Sequence, residues 1–129
     1  MTANDVTVTP FLIIVPQRTS MDCGVACLAS LFCVSYEKAL LASHVDVLEK
    51  GMKTRQIQDA ARRLGYTLRL KRTVDLENDV GLMAVRSTRW KHDHLVVLKE
   101  GMVADTDATV WDVDVFLAAY EATVLSILR

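Results

Sequence analysis

Residues 17–29 of the chain read QRTSMDCGVACLA, a stretch that sets a thiol, Cys23, at the predicted start of a helix. A helix N-terminus carries partial positive charge and N–H groups without helical partners, so it favours the thiolate form of a cysteine placed there. Gln17 lies six residues upstream and adds a side-chain amide. These residues favour a nucleophilic thiol with a nearby hydrogen-bond donor for an oxyanion.

The helix that begins near Cys23 is predicted to be buried. From residue 25 to residue 34 almost every side chain is apolar or small, so no side of this helix suits contact with water. A helix that is apolar on all sides lies inside a domain. Three further helices are predicted, at residues 36–42 after Ser35, from Thr54 to Gly65, and at about 113–120 after Asp112.

The pattern changes from helical to strand-like after Gly65. Residues 66–71 alternate between apolar and polar side chains, as a half-buried strand does. Further strands are predicted at residues 11–15, 80–85, 95–98, 102–105 and 122–128. Helices come first and strands follow, so we predict an α+β fold in which the helix from about Cys23 packs against an antiparallel sheet made by the C-terminal half.

A predicted hairpin brings a histidine and an acid together. Glu100-Gly101 can form a two-residue loop, since glycine supplies the positive φ that such turns need. In the resulting register His94 and Asp105 share one face of the hairpin and lie diagonally, with roughly 7–8 Å between their backbones. Asp107 shares that face and lies opposite His94, so both acids stay candidates. Cys, His and Asp in this chain order suggest a papain-like hydrolase.

Other assignments of the cysteines and histidines are open. His92 shares a strand face with His94, so either could be the base. Cys27 and Cys33 are predicted to be non-catalytic. Cys27 lies one helical turn further in, among apolar residues, where a thiol stays protonated and inert. Cys23-x-x-x-Cys27 with His92-x-His94 also offers four zinc-type ligands, although this spacing matches known ligand loops poorly.

Composition limits the class of protein. We predict a single domain over residues 1–129, with any disorder confined to residues 1–9. The net charge of −1, with acids and bases interspersed, gives no footprint for nucleic acid or an anionic membrane. The apolar run at residues 11–15 is too short for a signal peptide core or a membrane span. Three clustered cysteines fit a reducing compartment, so we expect a cytoplasmic protein without a cofactor.

The ordered motifs resemble a known family. They are Gln-x-x-x-x-Asp-Cys-Gly-x-Ala-Cys-Leu from Gln17, a helical unit between Gly51 and Gly65, the run that begins at His94-Leu95-Val96-Val97-Leu98, and Val103-Ala104-Asp105. Together they resemble the papain-like cysteine peptidases that process double-glycine leaders of bacteriocin precursors. The resemblance covers residues 11 to about 120.

The resemblance implies a role for each matching residue. Gln17 would be the oxyanion-hole glutamine, Cys23 the nucleophile, His94 the general base and Asp105 the orienting acid. The family usually has proline after the aspartate, where this chain has Thr106. The family domain also usually precedes the membrane helices of a transporter, which this chain lacks, so the resemblance implies a stand-alone domain.

The resemblance also implies partners, namely a peptide substrate whose leader ends in Gly-Gly and a separately encoded transporter or precursor peptide. Two alternative functions are consistent with the same residues. One is a module of the same fold that binds a peptide without cutting it. The other is a thiol acyltransferase, in which an amine replaces water.

Overall fold

The computed structural model describes residues 6–10, 12–44 and 51–129. Within these ranges the helices are α1 Cys23–Phe32, α2 Tyr36–Ser43, α3 Thr54–Arg63 and α4 Val113–Tyr120. The strands are β1 Thr7–Val8, β2 Ile13–Ile14, β3 Leu70–Lys71, β4 Val80–Arg86, β5 His94–Lys99, β6 Met102–Ala104, β7 Val110–Asp112 and β8 Thr123–Leu128. Helices α1 to α3 therefore follow β1 and β2 and precede strands β3 to β8 along the chain.

Six strands form one antiparallel sheet in the order β3-β8-β4-β5-β6-β7. Helix α1 packs against β5 and β4, near the middle of this sheet. The α+β class, with an early helix packed on a C-terminal antiparallel sheet, is therefore confirmed. None of the helices in the described ranges is long and apolar enough to cross a membrane.

Helix α1 is buried as predicted. All residues from Gly24 to Ser30 are buried, and Val25 and Leu28 have no exposed surface. The helix ends at Cys33, which adopts the left-handed conformation with φ 55°. The burial of this helix fixes the position of its first residue, Cys23.

The central strands are covered on both faces, which explains their nearly continuous apolar sequence. Leu95 and Val97 of β5 pack in the cluster that contains α1. Val96 and Leu98, which point to the opposite face, pack in the cluster that contains Phe116 of α4. Strand β5 is therefore held from both sides, and it carries His94 at its first position.

The β5–β6 hairpin has the predicted loop and register. Glu100 and Gly101 both have positive φ, at 50° and 83°, as a type I′ turn requires. Lys99 pairs with Met102, and the ladder continues to Val97–Ala104. The chain leaves the ladder directly after Ala104, at Asp105.

The predicted strand at residues 66–71 is too long, since only Leu70–Lys71 pairs with β8. The Tyr66 N–H donates to the Ala61 carbonyl at 2.9 Å, which closes the end of α3. The Tyr66 ring stacks on Phe32, with 3.9 Å between ring centroids. Contacts with α1 and α3 therefore hold the start of this segment. The alternating sequence pattern gives no sign of these contacts.

Two further differences involve short strands. The predicted strand at residues 11–15 is seen as β2, which pairs with β1 rather than with the six-stranded sheet. Phe11 and the first five residues of the 1–9 segment lie outside the described residues. The sequence analysis missed β7, because three residues that run directly into α4 carry too little pattern to recognise.

A buried serine ties the entry of the Gln17 loop to α1. The Val15 N–H donates to Ser30 Oγ at 2.8 Å, and both residues are buried. This bond joins the chain two residues before Gln17 to the helix that begins with Cys23. The relative position of the two residues therefore depends in part on Ser30.

We predict that Ser30→Ala lowers the free energy of unfolding by about 1–3 kcal/mol, because it leaves the buried Val15 N–H without this acceptor. Urea unfolding measures the change. The same substitution at exposed Ser20 is the control and should stay within about 0.5 kcal/mol of the parent. Equal stability of the two variants would contradict this role for Ser30.

Candidate active site

A histidine and an aspartate meet where the β5–β6 hairpin opens. His94 Nε2 lies 2.7 Å from Asp105 Oδ1, and the two side chains are 20% and 7% exposed. The Thr106 backbone N–H donates to the same carboxylate oxygen at 2.7 Å. This partly enclosed pair follows from the hairpin register, which sets the two residues diagonally across the sheet.

The alternative acid and the alternative histidine are placed elsewhere. Asp107 is exposed, and its Oδ1 accepts hydrogen bonds from the backbone N–H and hydroxyl of Thr109, at 3.1 and 2.5 Å. His92 is exposed. Of the four candidate side chains on this hairpin, His94 and Asp105 are the two that contact each other.

The Cys23 side chain lies close enough to His94 to change its pKa. Burial lowers the pKa of His94, but side-chain hydrogen bonds with Asp105 and Cys23, and the charges of both, outweigh it and raise the pKa to about 9. Because Nε2 bonds Asp105, Nδ1 is the ring atom left for Cys23. The imidazole is therefore protonated at neutral pH, beside a thiol at the start of α1.

Asp22, the residue before Cys23, turns away from the helix. Its side chain makes no capping bond to α1. It is fully buried and accepts hydrogen bonds from the Arg18 and Thr19 N–H groups, at 2.8 and 3.0 Å, and from the Tyr36 hydroxyl at 2.5 Å. The positive end of the α1 dipole is therefore left without a side-chain cap at Cys23.

Gln17 is held between two loops. Its backbone N–H donates to the Thr106 carbonyl at 2.9 Å, and its side-chain Nε2 donates to the Thr19 carbonyl at 2.5 Å. Its Oε1 accepts a hydrogen bond from the Thr106 hydroxyl. The structure thus connects Gln17 to the residue that follows Asp105, although 88 positions separate Gln17 from Asp105 in the sequence.

The Trp90 ring lies beside the imidazole. Its centroid is 5.2 Å from that of the His94 ring, and it packs on Tyr120 at 5.3 Å between centroids. Trp90 therefore excludes water from part of the histidine and restricts its rotation. Trp90 is therefore a packing residue at the edge of the site.

The other two cysteines have different surroundings. The Cys27 thiol donates to the Leu95 carbonyl at 3.2 Å inside the core. Burial raises the pKa of Cys27 well above its usual value, and the nearby charges of Cys23, Asp105 and Asp22 add to the effect. Cys33 is exposed.

The zinc hypothesis finds no support in this geometry. Cys27 is buried and its thiol donates to the Leu95 carbonyl, whereas His92 is exposed. The four suggested ligands therefore do not point to one common site. In the part of the chain that the structure describes, no three His, Cys, Asp or Glu side chains are grouped as a metal would require.

Sequence reasoning missed two residues of the site, Asp22 and Thr106. An aspartate before a helix normally suggests a cap, so the pattern gave no sign that Asp22 is buried and bonds the preceding loop. The sequence offered no packing reason for an acid beside Cys23, and the hydrogen bonds of Asp22 supply one. The contact of Thr106 with Gln17 joins distant parts of the chain, which no local pattern reveals.

A protein-family model matches most of this chain. A search of the curated proteins finds no match, whereas the model of the Peptidase C39 family matches residues 12–114. The match covers well over half of the 129 residues and includes Gln17, Cys23, His94 and Asp105. The chain therefore belongs to the Peptidase C39 family and is a cysteine peptidase domain.

Proposed function

We propose that this chain hydrolyses a peptide bond, with Cys23 as nucleophile, His94 as base and acid, Asp105 as the orienting acid and Gln17 as an oxyanion donor. The observation that carries the proposal is the 2.7 Å bond between His94 and Asp105, with Cys23 close enough to His94 to help raise its pKa. This is the relation of nucleophile, base and orienting group that covalent catalysis needs.

In the first half of the reaction, His94 already holds the proton of Cys23 as an imidazolium, and the thiolate sulfur attacks the carbonyl carbon. The resulting oxyanion accepts hydrogen bonds from the Gln17 side-chain amide and the Cys23 backbone N–H. The imidazolium then gives its proton to the leaving nitrogen, the C–N bond breaks, and a thioester and a free amine result. Asp105 stabilises the imidazolium during this step.

In the second half, water replaces the amine. His94 takes a proton from water as the water oxygen attacks the thioester carbon, and a second oxyanion forms in the same place. The C–S bond breaks, the sulfur leaves as a thiolate, and His94 keeps the proton as an imidazolium. The products are a carboxylic acid and the restored pair of Cys23 thiolate and His94 imidazolium.

The proposed substrate is a peptide whose leader ends in Gly-Gly, and cleavage follows the second glycine. The proposed fold is papain-like. Membership of the family and the resemblance of the motifs from Gln17 to Asp105 support this specificity. We further propose that a precursor peptide or a transporter is a partner of this chain. The free thiol that the chemistry needs supports a reducing compartment, the cytoplasm.

The primary test is cleavage of a synthetic peptide with a Gly-Gly leader, followed by mass spectrometry, with Cys23→Ala as the blank. Cleavage after Gly-Gly by the parent alone supports the proposal. Binding without cleavage would identify a peptide-binding module. If an added amine replaces water, so that the leader is released as an amide of that amine, the chain is an acyltransferase.

We predict that iodoacetamide alkylates Cys23 at least about tenfold faster than Cys27 or Cys33 near neutral pH. The reason is that Cys23 alone combines the start of a helix with an imidazolium partner. Peptide mapping by mass spectrometry gives the three rates separately.

The histidines provide a matched pair for this experiment. His94→Ala should abolish the fast alkylation, whereas the same substitution at exposed His92 should keep most of it. Equal rates at the three cysteines, or loss of the fast reaction in the His92 variant instead, would refute the assignment.

We predict that Gln17→Ala lowers kcat by about 10²–10³ with little change in KM, because an oxyanion donor acts when charge develops on the carbonyl oxygen. Steady-state kinetics on the Gly-Gly peptide measure both parameters. If this variant stays within about twofold of the parent on a peptide that Cys23→Ala cannot cut, Gln17 is not an oxyanion donor.

A further inference from the structure

One residue bridges the two halves of the proposed site. Thr106 accepts a hydrogen bond from the Gln17 N–H through its carbonyl, at 2.9 Å, and donates its own N–H to Asp105 at 2.7 Å. Its hydroxyl bonds Gln17 Oε1. Thr106 is 4% exposed, so these bonds are made largely out of contact with water.

The partners fix the orientation of the Gln17 amide. The Thr19 carbonyl can only accept a hydrogen bond, so the atom that faces it must be the amide nitrogen, Nε2. The amide oxygen then faces the Thr106 hydroxyl, which must be the donor. Exchanging the two amide atoms would set oxygen against oxygen at Thr19.

The proton of the Thr106 hydroxyl is donated to Gln17 Oε1. A threonine hydroxyl carries one proton. Its other neighbours, Asp105 Oδ1 at 3.4 Å and His94 Nε2 at 3.5 Å, lie at the limit of hydrogen bonding. The contact with Gln17 Oε1 is the shortest of the three, so the proton is directed to the glutamine.

These bonds leave the Gln17 amide with one N–H to offer. Nε2 carries two N–H groups, and the bond to Thr19 uses one of them. With the oxygen held by Thr106 and one N–H held by Thr19, the direction of the second N–H is fixed. Donors that are fixed in advance stabilise a developing oxyanion better than mobile ones.

We propose that Thr106 is a positioning residue for the oxyanion hole, whose hydroxyl sets the direction of the Gln17 amide. This inference rests on the proposed function, in which Gln17 is the donor to the oxyanion. Thr106 acts through Gln17 and makes no contact with the reacting atoms.

Three variants test the hydroxyl. Thr106→Val removes it at nearly constant size and keeps the backbone N–H and carbonyl, whereas Thr106→Ser keeps the hydroxyl. Thr109→Val makes the same change in the same turn, where the hydroxyl bonds exposed Asp107. We expect Thr106→Val to lower kcat about tenfold with KM within about twofold, and the other two to stay within about threefold of the parent. A parental kcat for Thr106→Val would overturn the proposal.

The double variant separates positioning from general damage to the fold. If the hydroxyl acts only through the Gln17 amide, Gln17→Ala with Thr106→Val should have the kcat of Gln17→Ala alone. Multiplied losses would show that Thr106 acts through something other than Gln17, and would overturn the proposal.

Alkylation checks the other neighbours of Thr106. Iodoacetamide reacts by displacement and forms no oxyanion, so Thr106→Val should alkylate Cys23 at the parental rate, with the same pH profile. A loss of alkylation equal to the loss of kcat would place the effect on His94 and Asp105, and would overturn the proposal.

A measurement without substrate distinguishes this inference from the proposed function. In the parent and in Thr106→Ser, the two Nε2 protons of Gln17 should give separate NMR resonances away from those of a free glutamine amide. In Thr106→Val they should move toward free values, and in Thr109→Val they should not. Free values in the parent would overturn the positioning role. The expected shifts in a parent that cuts no peptide would instead reject the proposed function and leave the positioning intact.

Discussion

The hydrogen bond between His94 and Asp105 is the interaction on which the proposed chemistry of this site depends. Burial alone lowers the pKa of a histidine, and a neutral imidazole would not hold a thiolate beside it. The buried carboxylate reverses that effect and also fixes which ring nitrogen faces Cys23. A covered sheet supports the pair, because β5 is packed on one face by α1 and on the other by the Phe116 cluster.

The hairpin alone does not make the site, because the thiol and the amide come from the N-terminal third of the chain. The buried helix α1 brings Cys23 to the sheet, and Asp22 organises the loop that precedes it through two backbone N–H groups and Tyr36. Two hydrogen bonds then join Gln17 to Thr106, on the loop that leaves β6. Each half of the site is thus held by its own buried acid, and Thr106 links the halves.

Much of this arrangement could be predicted from local patterns. The Glu100-Gly101 turn fixed the hairpin register, and that register placed Asp105 near His94. The apolar sequence of α1 predicted its burial. The sequence did not distinguish Asp105 from Asp107, because the predicted hairpin sets both on one face. In the structure the β5–β6 pairing ends at Ala104, and Asp107 bonds Thr109 instead of the histidine. The bonds of Asp22 and Thr106 depend on tertiary contacts, which leave no periodic signal.

The charge on His94 is the quantity that tests this account most directly, and NMR titration of the three histidine rings measures it. The ring whose signal is absent in His94→Ala should titrate with a pKa of about 9, and Asp105→Asn should move that pKa toward the ordinary value of about 6.5. Titration of all three rings near 6.5 in the parent would contradict this account. That result would mean that Asp105 does not hold a charged imidazole beside Cys23.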